Sequence, residues 1–191
     1  MNNKEYEYLK NIAINKMSKI KDPEHGLEHV EDVLFYSKIL LKKLEGIIDF
    51  DPQMCLLIAY WHDVGRTIKD KGHEKISSDM LKEEMIKLKF DDVYIDKVYK
   101  SIVNHKWNMN PTTIEGKILK DADKLAWVGL NRWKKCLLLN KNMNHILELL
   151  PNLKNEILFF KESKEIYDES IIKLLELLYK NLNINLRKTN K

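Results

Sequence analysis

Six histidines occur in this chain, and five of them stand beside a carboxylate or at what reads as a helix end: His25, His29, His62, His73 and His105. The sixth, His145 in NMNHILELL, has no such neighbour and reads as an ordinary surface or core histidine. Neutral imidazole and carboxylate together suit Zn, Mn, Fe or Co. The stretch AYWHDVGRT (59–67) is apolar up to Trp61 and then sets His62 and Asp63 side by side. Polar groups at the rim of a core are costly unless satisfied, here by a metal ion, a cap or a salt bridge to Arg66. His25 and His29 are four apart, which on a helix puts both on one face, the spacing of a metal clamp or of simple packing. A zinc-protease reading fails, because in HGLEH Gly26 stands where HExxH carries the glutamate that activates water. KDADKLAW adds Asp121 and Asp123. Two positions apart, they face nearly opposite ways on a helix, so at most one serves a shared site. The alternative to a shared site is one solvated aspartate and one that pairs with a lysine, Lys120 or Lys124.

These side chains must be placed by helices, because no period-2 strand pattern occurs. Apolar spacing predicts an amphipathic helix over 3–20, stopped by KDPEHG, and a second over about 26–45. Asp51 and Pro52 suit the cap and first residue of a short, nearly all-apolar helix running to about Asp63, with Gly65 placed to end it. Further helices are expected over 73–90, over 91–107 and from TIEGK through NRW (113–133). Beyond these, short helices over 135–150 and 152–161 precede a longer one over 164–183. Its apolar stripe at 171–182 could cover the core or a partner, which leaves a homodimer open. The expectation is an all-α, single-domain helical bundle over 1–191.

Composition narrows the partners. With 44% hydrophobic and 32% charged residues, the chain reads as a helix-rich globular protein with a charged exterior. A formal net charge of +4 is too modest to argue for a nucleic-acid partner, and the basic end LRKTNK reads as a solvated tail. Cys55 and Cys136 are far apart and outside any CxxC, so reduced buried thiols are expected. No apolar run is long enough to span a membrane and the N-terminus lacks an apolar signal core, so the expected setting is cytoplasmic.

The order of the donors carries more than any one of them: His29, then His62-Asp63, then Asp123, on three separate predicted helices. This pattern resembles the HD-domain superfamily of metal-dependent phosphohydrolases. HGLEHVEDV is similar to the family's first helix, IAYWHDVGR to its apolar-HD-(V/I)-G-(K/R) signature, and ILKDADKLAW to its A-D-(K/R)-L segment, which selects Asp123 over Asp121. The resemblance runs from about residue 22 to 130, and the helices over 135–185 match no pattern. GHEKISSDML and SIVNHKW further resemble segments that, in members with the fuller order H…HD…H…H…D, bind a second metal. His73 and His105 would then join His29, His62, Asp63 and Asp123 as ligands, with Asp63 bridging. In mononuclear members, equivalent groups contact substrate phosphate or water instead.

The resemblance implies one or two divalent ions (Mn, Fe, Co, Ni, Zn or Mg) and hydrolysis of a phosphate ester or anhydride of a nucleotide or similar small metabolite. Such an ion lowers the pKa of bound water toward ~7. Besides Asp63, Arg66 is a candidate for stabilising phosphoryl charge, or else pairs with Asp63 or Asp70. His25 could orient phosphate or protonate the leaving group, and Lys124 is a third candidate. Two other classes keep the same residues: a di-iron oxygenase of the same family, and a non-catalytic helical metal-binding protein.

Overall fold

The structure, a computed structural model, describes residues 1–22 and 24–189, with side chains described as far as 181. The fold is all-α, and no strand occurs among the described residues. The helices are α1 (Asn3–Met17), α2 (Leu27–Leu44), α3 (Pro52–Trp61), α4 (His73–Lys87), α5 (Asp92–Val103), α6 (Ile114–Leu125), α7 (Leu130–Leu138), α8 (Asn144–Leu147), α9 (Leu150–Asn152) and α10 (Lys161–Thr189). Tight turns at Val64–Thr67 and Ala126–Val128 and a wide turn at Leu153–Ile157 join some of them.

Local chemistry explains most starts. The Asn2 side chain accepts from Glu5 N while Glu5 accepts from Asn2 N, a reciprocal cap that opens α1. Asp51 accepts from Met54 N at 2.9 Å with Pro52 as first residue of α3, and Asp91 accepts from Tyr94 N at 2.8 Å to open α5. Helix α3 is apolar on every side because α1, α2, α5 and α6 all pack against it. Fully buried Trp61 closes it, donating its indole N–H to Leu9 O of α1 at 3.1 Å. Buried apolar side chains from α1 through α10 join into one core. Both cysteines are free and buried.

Several expected elements differ. The stretch 113–133 is two helices, because at Gly129 the backbone turns extended and the buried Asp32 carboxylate accepts from Arg132 N at 3.1 Å, capping α7 afresh. The short helices expected over 135–150 and 152–161 are instead the end of α7, the single turns α8 and α9, and the wide turn. Helix α10 runs over Lys161–Thr189 and starts earlier than expected, since Asp121 of α6 accepts from Phe159 N at 3.0 Å and from Phe160 N at 3.1 Å just ahead of it. Asp121 is therefore neither solvated nor lysine-paired, and burial pushes its carboxyl up to about 6. The 171–182 stripe divides. Leu174 faces the core, while Ile172, Leu175 and Tyr179 are exposed. The basic end 186–191 lies outside the described side chains. No helix among the described residues is long and apolar enough to cross a membrane.

Candidate metal centre

Six donors from five places in the chain meet in the interior, all buried: His29 of α2, His62 and Asp63 past the end of α3, His73 opening α4, His105 after α5, and Asp123 near the end of α6. Adjacent residues on a regular helix could not converge. His62 is the last helical residue of its turn, and Asp63 departs to φ −106°, ψ 2°, which swings its carboxylate toward the same centre. Gly65 does not end α3 as expected, since the helix stops at Trp61. A side chain at Gly65 would meet His73 O at 2.2 Å and Ser77 N at 2.8 Å, and its N–H donates to Ser77 Oγ at 2.7 Å. Its bareness lets the first turn of α4 rest on this backbone, which delivers His73.

The donors fall into two groups. His29 Nε2 lies 3.2 Å from His62 Nε2 and 3.2 Å from Asp123 Oδ1, with Asp63 Oδ2 at 3.7 Å. On the other side Asp63 Oδ1 is 2.9 Å from His73 Nε2 and 4.0 Å from His105 Nε2. Ligand atoms within each of the sets His29/His62/Asp123 and Asp63/His73/His105 are close enough to hold one ion. Two atoms each about 2.1 Å from a common ion lie roughly 3.0–3.4 Å apart at tetrahedral or octahedral angles, near the shorter spacings here.

The tautomers make the stronger test. His62 Nδ1 lies 2.8 Å from Ala59 O, His73 Nδ1 2.8 Å from Asp70 O and His105 Nδ1 2.6 Å from Ile102 O. Each carbonyl is three residues back and can only accept, so the proton sits on Nδ1 and the Nε2 lone pair points inward. His29 Nδ1 has no hydrogen-bond partner among the described residues. Lone pairs thus face one another and two carboxylates, an arrangement that a cation satisfies and empty space does not. Burial pushes His29 down to about 4 and His105 down to about 3, so both are neutral donors at pH 7. Burial also opposes charge on His73, but the Asp63 carboxylate beside it outweighs this and raises its pKa.

Arg66 makes both ion pairs considered for it, with Nε 2.9 Å from Asp63 Oδ2 and Nη1 3.4 Å from Asp70 Oδ1. Lys124 Nζ sits 2.6 Å from Asp123 Oδ2 and over the Trp127 ring. Although burial opposes ionisation, both carboxyls are held well below the usual range, with the Arg66 guanidinium against Asp63 and the Lys124 ammonium against Asp123. His25 does not share a helical face with His29, because α2 begins only at Leu27 after the cap at Gly26. It stays outside the donor cluster, Nδ1 2.9 Å from Asp22 Oδ2, on the pocket wall.

That pocket, about 230 Å³, opens over the donors. Its other walls include residues the sequence reading did not single out: Glu24, Glu74, Lys106, Trp107, Trp127 and Arg132. Trp107 and Trp127 stack at 5.1 Å. Lys120 donates to Trp107 O and Met109 O, fixing the loop after His105. His145 is an exposed surface histidine, in line with the expectation, and it also lines the pocket, with Nε2 2.8 Å from Glu24 Oε2. Arg132 carried a readable signal, since it shares the buried face of α7 with Trp133 and Cys136. A single helix over 113–133 hid that register.

Among curated proteins none matches this chain. A solved structure described as a predicted HD superfamily hydrolase from an uncultured Thermotogales bacterium shares the fold. It has a TM-score of 0.68 at 19% identity, over 93% of this chain and 91% of that one. The likeness thus continues well past the C-terminal limit of about residue 130 read from the sequence motifs. The HD domain family model matches residues 26–128, over half of the chain and holding all six donors. With that match, the ordered donors are explained by descent as well as by geometry: the chain belongs to the HD domain family.

Proposed function

We propose that this protein is a metal-dependent phosphohydrolase that cleaves a phosphate ester or anhydride of a nucleotide or similarly small phosphorylated metabolite. The observation that carries the reading is the Asp63 carboxylate, one oxygen turned to His29 and His62 and the other to His73 and His105, on the floor of a pocket walled by cations. The shared fold with a protein described as a hydrolase agrees with it.

His29, His62 and Asp123 would hold one ion and His73 and His105 a second, with Asp63 between them. A divalent ion so held supplies an activated water at neutral pH and a Lewis-acid contact to a phosphoryl oxygen. The chain's own groups do the rest. Arg66 and Lys124 keep Asp63 and Asp123 ionised, and the carbonyls of Ala59, Asp70 and Ile102 fix the imidazole tautomers. His25, on the wall with Nδ1 2.9 Å from Asp22 Oδ2, is the group that would give a proton to the leaving oxygen. The stacked Trp107–Trp127 pair offers an aromatic wall to a base, and stacking of that kind is worth about 1–3 kcal/mol. This feature favours a nucleotide over a bare sugar phosphate. The reaction is set in the cytoplasm.

The test is a phosphate-release screen over nucleotides with Mn, Co, Ni, Mg and Fe supplied separately. Asp63→Ala is expected to lose metal and turnover together. Oxygen uptake with an organic substrate, and no phosphate from any nucleotide, would replace this reading with the di-iron oxygenase. Undiminished phosphate release by metal-free Asp63→Ala protein would refute metal-dependent phosphate hydrolysis at this site.

A further inference from the structure

The pocket cations are not equivalent. Arg66 and Lys124 lie against the donor carboxylates, Asp63 and Asp123. Lys106 is exposed. Arg132 differs from all three, for it is buried at 3% exposure, and its Nε and Nη1 atoms have no hydrogen-bond partner among the described residues. Its nearest carboxylate contact, from Nη2 to Glu24 Oε2, is 3.8 Å, outside hydrogen-bond range. Glu24 is already engaged by Lys141 at 2.7 Å and His145 at 2.8 Å. Asp32 is engaged by the backbone N–H of Arg132 itself.

A guanidinium cannot shed its proton to escape burial. Left without partners in the interior it is strongly unfavourable, and replacing such a charge by an apolar side chain often stabilises a fold. Arginine also presents its N–H groups in the plane that suits tetrahedral oxyanions. We propose that Arg132, on the pocket wall, is the substrate-binding residue that receives the phosphoryl oxygens. The group it takes is a phosphoryl oxyanion and not a carboxylate. The identity of that anion rests on the phosphohydrolase reading, whereas the site itself rests on the unpartnered buried guanidinium. Glu24 acts through Arg132 as a positioning residue, held in turn by Lys141 and His145.

The experiment uses metal-loaded full-length protein, with inorganic phosphate as the probe and acetate as the competitor class. Binding is followed by titration calorimetry and by the intrinsic fluorescence of the protein's tryptophans, of which Trp107 and Trp127 line the pocket. Arg132→Met keeps the apolar stem and removes the charge, and Arg132→Lys keeps the charge and removes the fork. Arg132→Met is expected to weaken phosphate roughly ten- to hundredfold, the range for losing charge-assisted hydrogen bonds, with metal content unchanged. Without phosphate its melting temperature is expected to equal or exceed that of the natural protein, and millimolar phosphate is expected to raise the melting temperature of the natural protein only. Arg132→Lys should recover part of the affinity. Wild-type phosphate affinity in Arg132→Met overturns the proposal. Equal destabilisation of that variant with and without phosphate overturns it too, because it would mean the guanidinium is structural. Tighter binding of acetate than phosphate overturns the assigned class. If no nucleotide releases phosphate yet Arg132→Met still loses phosphate binding, the proposed activity falls and the anion site stands. If turnover is normal and phosphate binding is unaltered in Arg132→Met, the anion site alone falls.

Discussion

Gly65→Ala isolates the contact that brings the second donor group together. The added methyl would lie 2.2 Å from His73 O, 2.8 Å from Ser77 N and 2.9 Å from Ile76 Cβ. A carbon–oxygen contact settles at roughly 3.3 Å, so the first turn of α4 must retreat by about 1 Å. Gly65 has no positive φ, so the backbone itself tolerates alanine and the effect is steric. Overpacking of this size costs about 1–3 kcal/mol, and weakening the Gly65 N–H to Ser77 Oγ bond adds about 1 kcal/mol. The unfolding free energy should therefore fall by about 2–4 kcal/mol. His73 is the first residue of α4, and metal–ligand distances tolerate only about 0.2 Å. A retreat several times larger should empty the site formed with Asp63 and His105 and leave that formed by His29, His62 and Asp123. The assays are urea unfolding and elemental analysis after exhaustive dialysis, with bound metal expected to fall toward half. A variant that keeps both its unfolding midpoint and its full metal content would show that the short contact is readily relieved, and the reasoning would fail.

Four further outcomes follow from the same geometry. Burial raises the Asp32 carboxyl to about 6 despite the nearby Arg132 groups and Asn131. Its folded pKa exceeds its unfolded value near 3.9, so the stability it permits below pH 4 is lost as pH rises through about 6. The stability of Asp32→Asn relative to the natural protein should accordingly climb across pH 4–6 by on the order of 2–3 kcal/mol and then level off, read from urea unfolding at fixed ionic strength. Chelation should lower the melting temperature, by about 4 kcal/mol of stability if the ion had been present at a thousand times its Kd, and restored ion should reverse the loss. Asp121→Ala should keep its metal while losing about 2–4 kcal/mol, because the Phe159 and Phe160 amides lose their acceptor. Loss of metal in that variant would count against the division of labour between the two aspartates. Lys120→Met should free the loop after His105 and weaken one ion about 10–100-fold, measured by competition with a fluorescent chelator.

The helices around the site were legible because their starts are local. Asp51 with Pro52, Asp91 and Thr113 each accept from an amide three residues on, and such caps need nothing from the rest of the chain. The donors were legible through their order, which resembles that of HD-domain motifs; residue type alone left a cap, a salt bridge or simple packing open at each position. Spacing also showed that Asp121 and Asp123 must part company, which they do. It misplaced His25, because a helical offset of four was counted across Gly26, where no helix yet exists.

Helical periodicity thus determined an all-α chain, and the resemblance of its motifs to HD-domain segments nominated the six donors. Only the tertiary structure decided how Asp63 divides its two oxygens, that Gly65 is bare to admit α4, and that Arg132 is buried with its Nε and Nη1 unbonded among the described residues. The break at Gly129 shows why. Asp32, nearly a hundred residues upstream, supplies the acceptor that restarts the helix and turns Arg132 inward. A contact between distant segments leaves no periodicity in either one. It exists only once the core has brought α2 and α7 side by side.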